Sequence, residues 1–292
     1  MRLLAVSGLD VQPDVAAGRR RPFVRRAFSS RSLLAGLCIV ASVTTLAALA
    51  PVIVRYGPNQ QNPFHGMEGP SAAHWLGTDE LGRDVWSRVL YAGRTDLVVG
   101  FLAVLFPFGF GTLLGIAAGY FGGVVETVTM RLVDVIIAFP FYVLVVALVF
   151  IIGPGIRGIY IAIALTDWVV YARMARTQAL VVRELDWVTA ARSGGLSHAR
   201  VLWRHILPNT ISQAIVYVMS DIVYVLLAVV TLGYLGLGIQ PPTPDWGSMI
   251  SDGQSFLSTN LWISTIPGIP IVLTGLGLSL VADGLTDVLR PP

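Results

Sequence analysis

Residues 97–125 read LVVGFLAVLFPFGFGTLLGIAAGYFGGVV, a run without a single Asp, Glu, Lys or Arg. A bilayer core of roughly 30 Å needs about 20 apolar residues wound as a helix, so this run is long enough to cross a membrane. Outward from it lie four more charge-free runs, at 32–54, 135–156, 222–244 and 253–282, and a weaker one near 156–172 that Asp167 interrupts. Trimming loop residues predicts six spanning helices near 33–55, 97–119, 133–152, 157–176, 210–232 and 262–283. Composition agrees: 54% of the 292 residues are hydrophobic and 13% charged, and the mean hydropathy is +0.71. The expected fold class is all-α, a polytopic membrane protein with six transmembrane helices; a water-soluble globule is excluded.

All twenty basic residues are Arg and none is Lys. With the N-terminus inside, fifteen of them fall in the inside segments 1–32, 120–132, 173–209 and 284–292, and five fall outside. That bias places both termini in the cytoplasm. It also accounts for the pI of about 9.2 without nucleic acid, because Arg19, Arg20, Arg21, Arg25 and Arg26 suit the anionic inner leaflet of the bilayer. The stretch from Arg19 to Phe23 has a twin-arginine look and Ala48-Leu49-Ala50 has the form of a cleavage site. The apolar run behind it is longer than the ~7–15 residues of a signal h-region, so we read a retained first helix. Without Lys there is no P-loop, Schiff base or Ser-Lys dyad. The single Cys38 excludes an intrachain disulfide, and neither Gly-x-Ser-x-Gly nor His-Glu-x-x-His occurs. The chain is expected to be no enzyme by itself, with no cofactor or metal of its own.

The predicted organisation is an Arg-rich tail (1–32), a first transmembrane helix (33–55), an extracytoplasmic segment with an interfacial helix (56–96), a five-helix core (97–283) holding a cytoplasmic loop at 184–209, and a C-terminal tail (284–292). In the outer segment Thr78 can cap a helix with Asp79 and Glu80 in its first turn, and Leu81, Val85 and Val89 form an apolar stripe. Such a helix is either a platform for an external partner or an elbow. In the inner segment Gly194-Gly195 should break one helix, Ser197 cap the next and Pro208 end it. The product is a short helix-turn-helix whose corner carries the small residues Ala190, Ala191 and Gly195. Arg192, Arg200 and Arg204 surround it, able to meet carboxylates, and an amphipathic pair resting on headgroups is the alternative. Pro107, Pro140, Pro267 and Pro270 should kink spans two, three and six.

Thr189-Ala190-Ala191-Arg192-Ser193-Gly194-Gly195, followed after nine residues by His205-Ile206-Leu207-Pro208-Asn209, resembles the EAA loop of bacterial ABC-importer permeases. Ala190, Ala191, Gly195, Leu207 and Pro208 stand on motif positions, while Thr189 replaces the usual Glu and His205 a common Ile. The likeness extends to the C-type permeases of dipeptide, oligopeptide and nickel importers. It runs through Leu76-Gly77-Thr78-Asp79 with Gly82-Arg83-Asp84, Met130-Arg131 with Asp134 and Pro140, and Leu235 to Pro242 with Gln240 and then Trp246-Gly247. Val229 departs from an acidic residue common in relatives. The resemblance implies a type I ABC importer (MetI-like) permease fold in the bacterial cytoplasmic membrane. It implies a homologous B-type permease, two cytoplasmic ATPase subunits that bind ATP and Mg, and an extracytoplasmic substrate-binding protein as partners. The 184–209 loop would dock into the ATPase, with Thr189, Ala190, Ala191, Arg192, Gly195, Arg200, Arg204, His205, Leu207 and Pro208 at the contact. Asp79, Arg83, Asp84, Gln240 and Trp246 would lie in loops facing the binding protein, and the cargo would be a di- or oligopeptide, alternatively nickel or another small solute.

Asp167 and Asp221 fall near the middle of spans four and five, and Asp134 near the inner end of span three. An unpaired charge there costs at least about 2.5 kcal/mol, so each should face protein or water. Asp221 and Asp167 are the candidates for the substrate pathway, since a peptide carries an ammonium group; hydrogen bonds between helices are the competing role. His198 and His205, seven apart, read as interface packing. His65 and His74 would touch a metal cargo only in a nickel importer. A different class, the ion-coupled secondary carrier, would use the three Asp for protons or sodium. It would work alone with an ion gradient, whereas an ABC permease requires its ATPases.

Overall fold

The computed structural model describes residues 30–289; the Arg19–Arg26 cluster and residues 290–292 lie outside the described residues. Among those described, the architecture is helical, with only an isolated bridge between Thr78 and Asp84. Five helices are long and apolar enough to cross a membrane: Arg31–Ala48, Val85–Phe121, Ile156–Arg183, His198–Tyr234 and Leu261–Val288. The pair Gly123–Ile137 and Phe141–Ile152, bent by 88°, makes a sixth span when the two are taken together. We label α1 (Arg31–Ala48), α2 (Val85–Phe121), α3 (Gly123–Ile137), α4 (Phe141–Ile152), α5 (Ile156–Thr166), α6 (Trp168–Arg183), α7 (Asp186–Ser193), α8 (His198–Val201), α9 (Leu207–Tyr234), α10 (Trp246–Gln254) and α11 (Gly268–Leu289).

The 37 residues of α2 extend roughly 55 Å at 1.5 Å per residue, well beyond the hydrocarbon thickness. This helix absorbs the interfacial helix expected in the outer segment, and it starts later than expected. Asp84 is the cap, its Oδ2 accepting from the Ser87 amide at 2.8 Å and the Ser87 hydroxyl at 2.6 Å. Thr78 is instead fully buried and donates to the His65 carbonyl at 2.5 Å. The break falls where it does because Gly82 sits at φ +68° against the Asn62 backbone, a conformation and a space that no helical residue shares.

Of the expected proline kinks, Pro140 marks the sharp one, between α3 and α4. Pro107 lies inside α2 without ending it. Pro208 corrects a second expectation: it opens α9 and does not stop a helix. Residues Leu202–Ile206 form a π turn just before it, which widens the helix where proline lacks an N–H and needs room for its ring. Asn209 Nδ2 then donates to the His205 carbonyl at 2.7 Å.

Gly111, Gly115 and Gly119 of α2 face the backbone of Trp168, Ala172 and Arg176 of α6. Both series step by four residues, so a glycine-smooth ridge of α2 lies against the α6 backbone and the helices approach more closely than a Cβ on α2 would permit. A central core containing Val104, Val145, Val149, Ile159, Ile163, Tyr171, Val225 and Val229 joins α2, α4, α5, α6 and α9. Separate clusters close the inner and outer ends.

Candidate functional site

At one end of the bundle, α7 and α8 form a helix-turn-helix corner. Val188, Val201 and Ile206 are fully buried and pack with Ile116 and Tyr120 of α2 and with Ala175, Ala179 and Val182 of α6. The turn between them is closed in the Schellman manner: the Leu196 amide donates to Ala191 at 3.2 Å and the Gly195 amide to Arg192 at 3.0 Å. Gly195 has φ +82° and open space around its missing Cβ, so backbone conformation is what the glycine supplies. Thr189, Ala190, Arg192, Gly195, Arg200, Arg204 and Pro208 are exposed, and Ala191, His205 and Leu207 half-buried. The apolar side is thus anchored on the bundle while the small and basic side stands free.

Further contacts fix this corner that the residue pattern did not single out. The Tyr120 hydroxyl and His198 Nδ1 lie 2.9 Å apart, and Trp187 and His205 pair their rings with centroids 5.7 Å apart. Arg183 Nη1 donates to the Gly119 carbonyl at 2.7 Å, and Arg176 pairs with Glu126 of α3. Nothing local marks Tyr120 and His198, 78 positions apart, as partners.

In the middle of the bundle, Asp167 and Asp221 come together. Asp167 stands at the one-residue break between α5 and α6. It lies one helical turn before Tyr171, whose side chain reaches Asp221 of α9. Tyr171 donates its hydroxyl proton to Asp221 Oδ2 at 2.7 Å. Asp167 lines a cavity of about 430 Å³ together with Phe139 and Phe141 at the α3–α4 bend and Tyr217 and Tyr224 of α9. The helical spacings Asp167/Tyr171 and Tyr217/Asp221/Tyr224 placed each set on one helix face, a legible signal. Asp134 is exposed, 3.6 Å from Arg173.

At the opposite end of the bundle, Asp79, Asp84 and Trp246 are buried and brace the loops from within. Asp79 Oδ2 accepts from Arg83 Nε at 2.6 Å and lies 3.5 Å from Arg88. Trp246 donates its amide to Asp96 at 2.8 Å and its indole N–H to the Val89 carbonyl at 3.0 Å. Asp245 caps α10 through Ser248 at 3.0 Å, while burial pushes its carboxyl above the usual carboxylate range, against the hydrogen bonds from Ser248 and Gly247. Arg83 is half-buried and Gln240 exposed. His65 pairs with Glu68 at 2.5 Å and His74 with Asp84 at 2.9 Å.

The sequence pattern of the family described as "Binding-protein-dependent transport system inner membrane component" matches residues 111–291. A dipeptide transport system permease of Alkalihalophilus pseudofirmus is 38% identical over 258 residues, covering 88% of this chain and 85% of that protein. One from Haemophilus influenzae is 37% identical, covering 90% and 91%. A glutathione transport system permease of Pectobacterium atrosepticum is 36% identical, covering 93% and 90%. With five apolar spans and a bent pair, an exposed corner and these likenesses over nearly its whole length, the chain belongs to the inner-membrane permease family of binding-protein-dependent ABC importers.

Proposed function

We propose that the chain is the C-type permease subunit of an ATP-driven importer of di- and oligopeptides, with both termini in the cytoplasm. The observation that carries this is the corner at Thr189 to Gly195: its apolar face is buried on α2 and α6, and its small, basic face is left open. A membrane protein that worked alone would have little use for such a knob. One of two ATPase subunits that hold ATP and Mg takes it into a groove, and closure of the pair rotates a corner too well packed to deform smoothly. A homologous B-type permease completes the pore, and a binding protein delivers peptide to the outer loops around Gln240. There Asp79, Arg83, Asp84 and Trp246 hold the shape while neighbouring surface makes the contact. Relatives named as dipeptide and glutathione permeases support the peptide cargo. Asp167 and Asp221 belong to the substrate pathway.

The test is reconstitution of the purified assembly in liposomes. Dipeptide uptake should require ATP and loaded binding protein, and a sodium or proton gradient alone should drive none. Gly195→Trp should abolish uptake and ATPase attachment, since a side chain at φ +82° is strained and projects into the contact, while membrane insertion persists. Undiminished uptake by Gly195→Trp would remove the corner from coupling.

A further inference from the structure

Asp167 occupies the N-cap position of α6, where a carboxylate ordinarily accepts from the amides of the first turn, yet its side chain makes no such bond. It is 3% exposed, its Oδ2 has no hydrogen-bond partner, and the side chain forms part of the wall of the 430 Å³ cavity. Behind it Asp221 is 1% exposed, and its Oδ1 is likewise without a partner. Two ionised carboxylates brought to one place repel each other, and at membrane depth each needs a counter-charge or a proton. No Arg or His lines the cavity, and Arg173 is turned to Asp134. Among the described residues, then, the walls offer no positive charge, and relief comes from a proton held by the pair or from a cationic group that enters the cavity.

Two further features say what kind of place this is. The 88° interruption between α3 and α4 faces this cavity, while Asp167 keeps helical backbone between α5 and α6. Interrupted helices are tolerated inside a bilayer only where the loose backbone is covered by protein or lines a watery cavity. The remaining walls offer the rings of Phe139, Phe141, Tyr217 and Tyr224, surfaces that favour a cation near their faces. The volume lies within the range of small-ligand pockets.

We infer that this cavity is where the permease holds the ammonium terminus of its passing peptide, with Asp167 as the contacting carboxylate and Asp221, oriented by Tyr171, as a positioning residue behind it. The inference rests on the peptide-permease reading above. A free inorganic cation would satisfy the same carboxylates, so the experiment separates the two sources.

The assembly with its B-type permease and ATPases, in nanodiscs without binding protein, is treated with a hydrophobic carbodiimide, and the Asp167 adduct is quantified by mass spectrometry. Dialanine should suppress the adduct, N-acetyl-dialanine at the same concentration should not, and replacing sodium by N-methylglucamine should leave the pattern unchanged. Asp221→Asn should raise the half-protecting dialanine concentration about tenfold, the scale of one charge-assisted contact. In liposomes Asp167→Asn should cut ATP-driven dialanine uptake by at least about tenfold, and Asp167→Glu should recover part of it, as restoring a charge does and restoring only packing does not. Equal protection by the acetylated peptide would overturn the inference, as would protection by sodium alone. An Asp167 that never reacts would mean that the cavity is closed by the partner permease, and would overturn it too. Failure of the permease reading has a different signature, the absence of ATP-driven uptake by the unaltered assembly, which the labelling does not depend on.

Discussion

Asp245 shows how a single buried group leaves a measurable trace. Its raised carboxyl favours the protonated form in the folded chain. The stability this contributes is present in full below the unfolded carboxylate value of about 3.9 and is lost as pH rises through the folded value. Asn caps a helix as well as Asp does and never ionises. Asp245→Asn should therefore melt above the unaltered protein near pH 8 in detergent, with the gap narrowing on acidification; a gap independent of pH would contradict the assignment. At this scale the sequence exposed much and hid much. Tyr217, Asp221 and Tyr224 share a face by arithmetic alone, as do Asp167 and Tyr171. That the two sets meet depends on which helices pack together, and near-uniform apolar surfaces carry no such instruction. Asp79, Asp84 and Trp246 show the converse: polar and aromatic residues in an outer loop read as surface, but here they fill the inside of that loop.

At the scale of the element, length of run and absence of charge found most of the spans, because the bilayer tolerates few other solutions; the span Ile156–Arg183 carries Asp167 and several Arg and reads only weakly. Boundaries were harder. The start of α2 turned on Gly82 lying against the Asn62 backbone, a tertiary contact, and the passage through Pro208 turned on a π turn that no local preference announces. The glycine ridge between α2 and α6 was legible as composition but not as a pairing. It makes a sharp prediction. Gly115→Leu drives a side chain into the Ala172 backbone, which cannot yield as a side chain can. The cost should reach about 3 kcal/mol, the upper end of overpacking, and appear as a lowered melting temperature. Gly109→Leu on the same helix meets open space and should change little. Equal effects from the two would mean that the seam does not hold the bundle.

For the molecule as a whole, the asymmetry of Arg is what supports the proposed orientation, and labelling checks it. After Cys38→Ser removes the single thiol, a Ser193→Cys variant should react with an impermeant maleimide only in inside-out vesicles, and a Gln240→Cys variant only in right-side-out ones. Reaction of both from one side would refute the topology. What composition could not supply was the relation between the two faces. At its outer end α2 holds Trp246 through Val89 and Asp96; at its inner end it holds the corner through Tyr120 and the Gly119 carbonyl. One uninterrupted rod is therefore fastened at both of its extremities. Like the beam of a balance, it cannot let one pan rise while the other stays level. Whatever settles on the exterior rim and whatever tugs beneath are weighed against each other along a single stiff member.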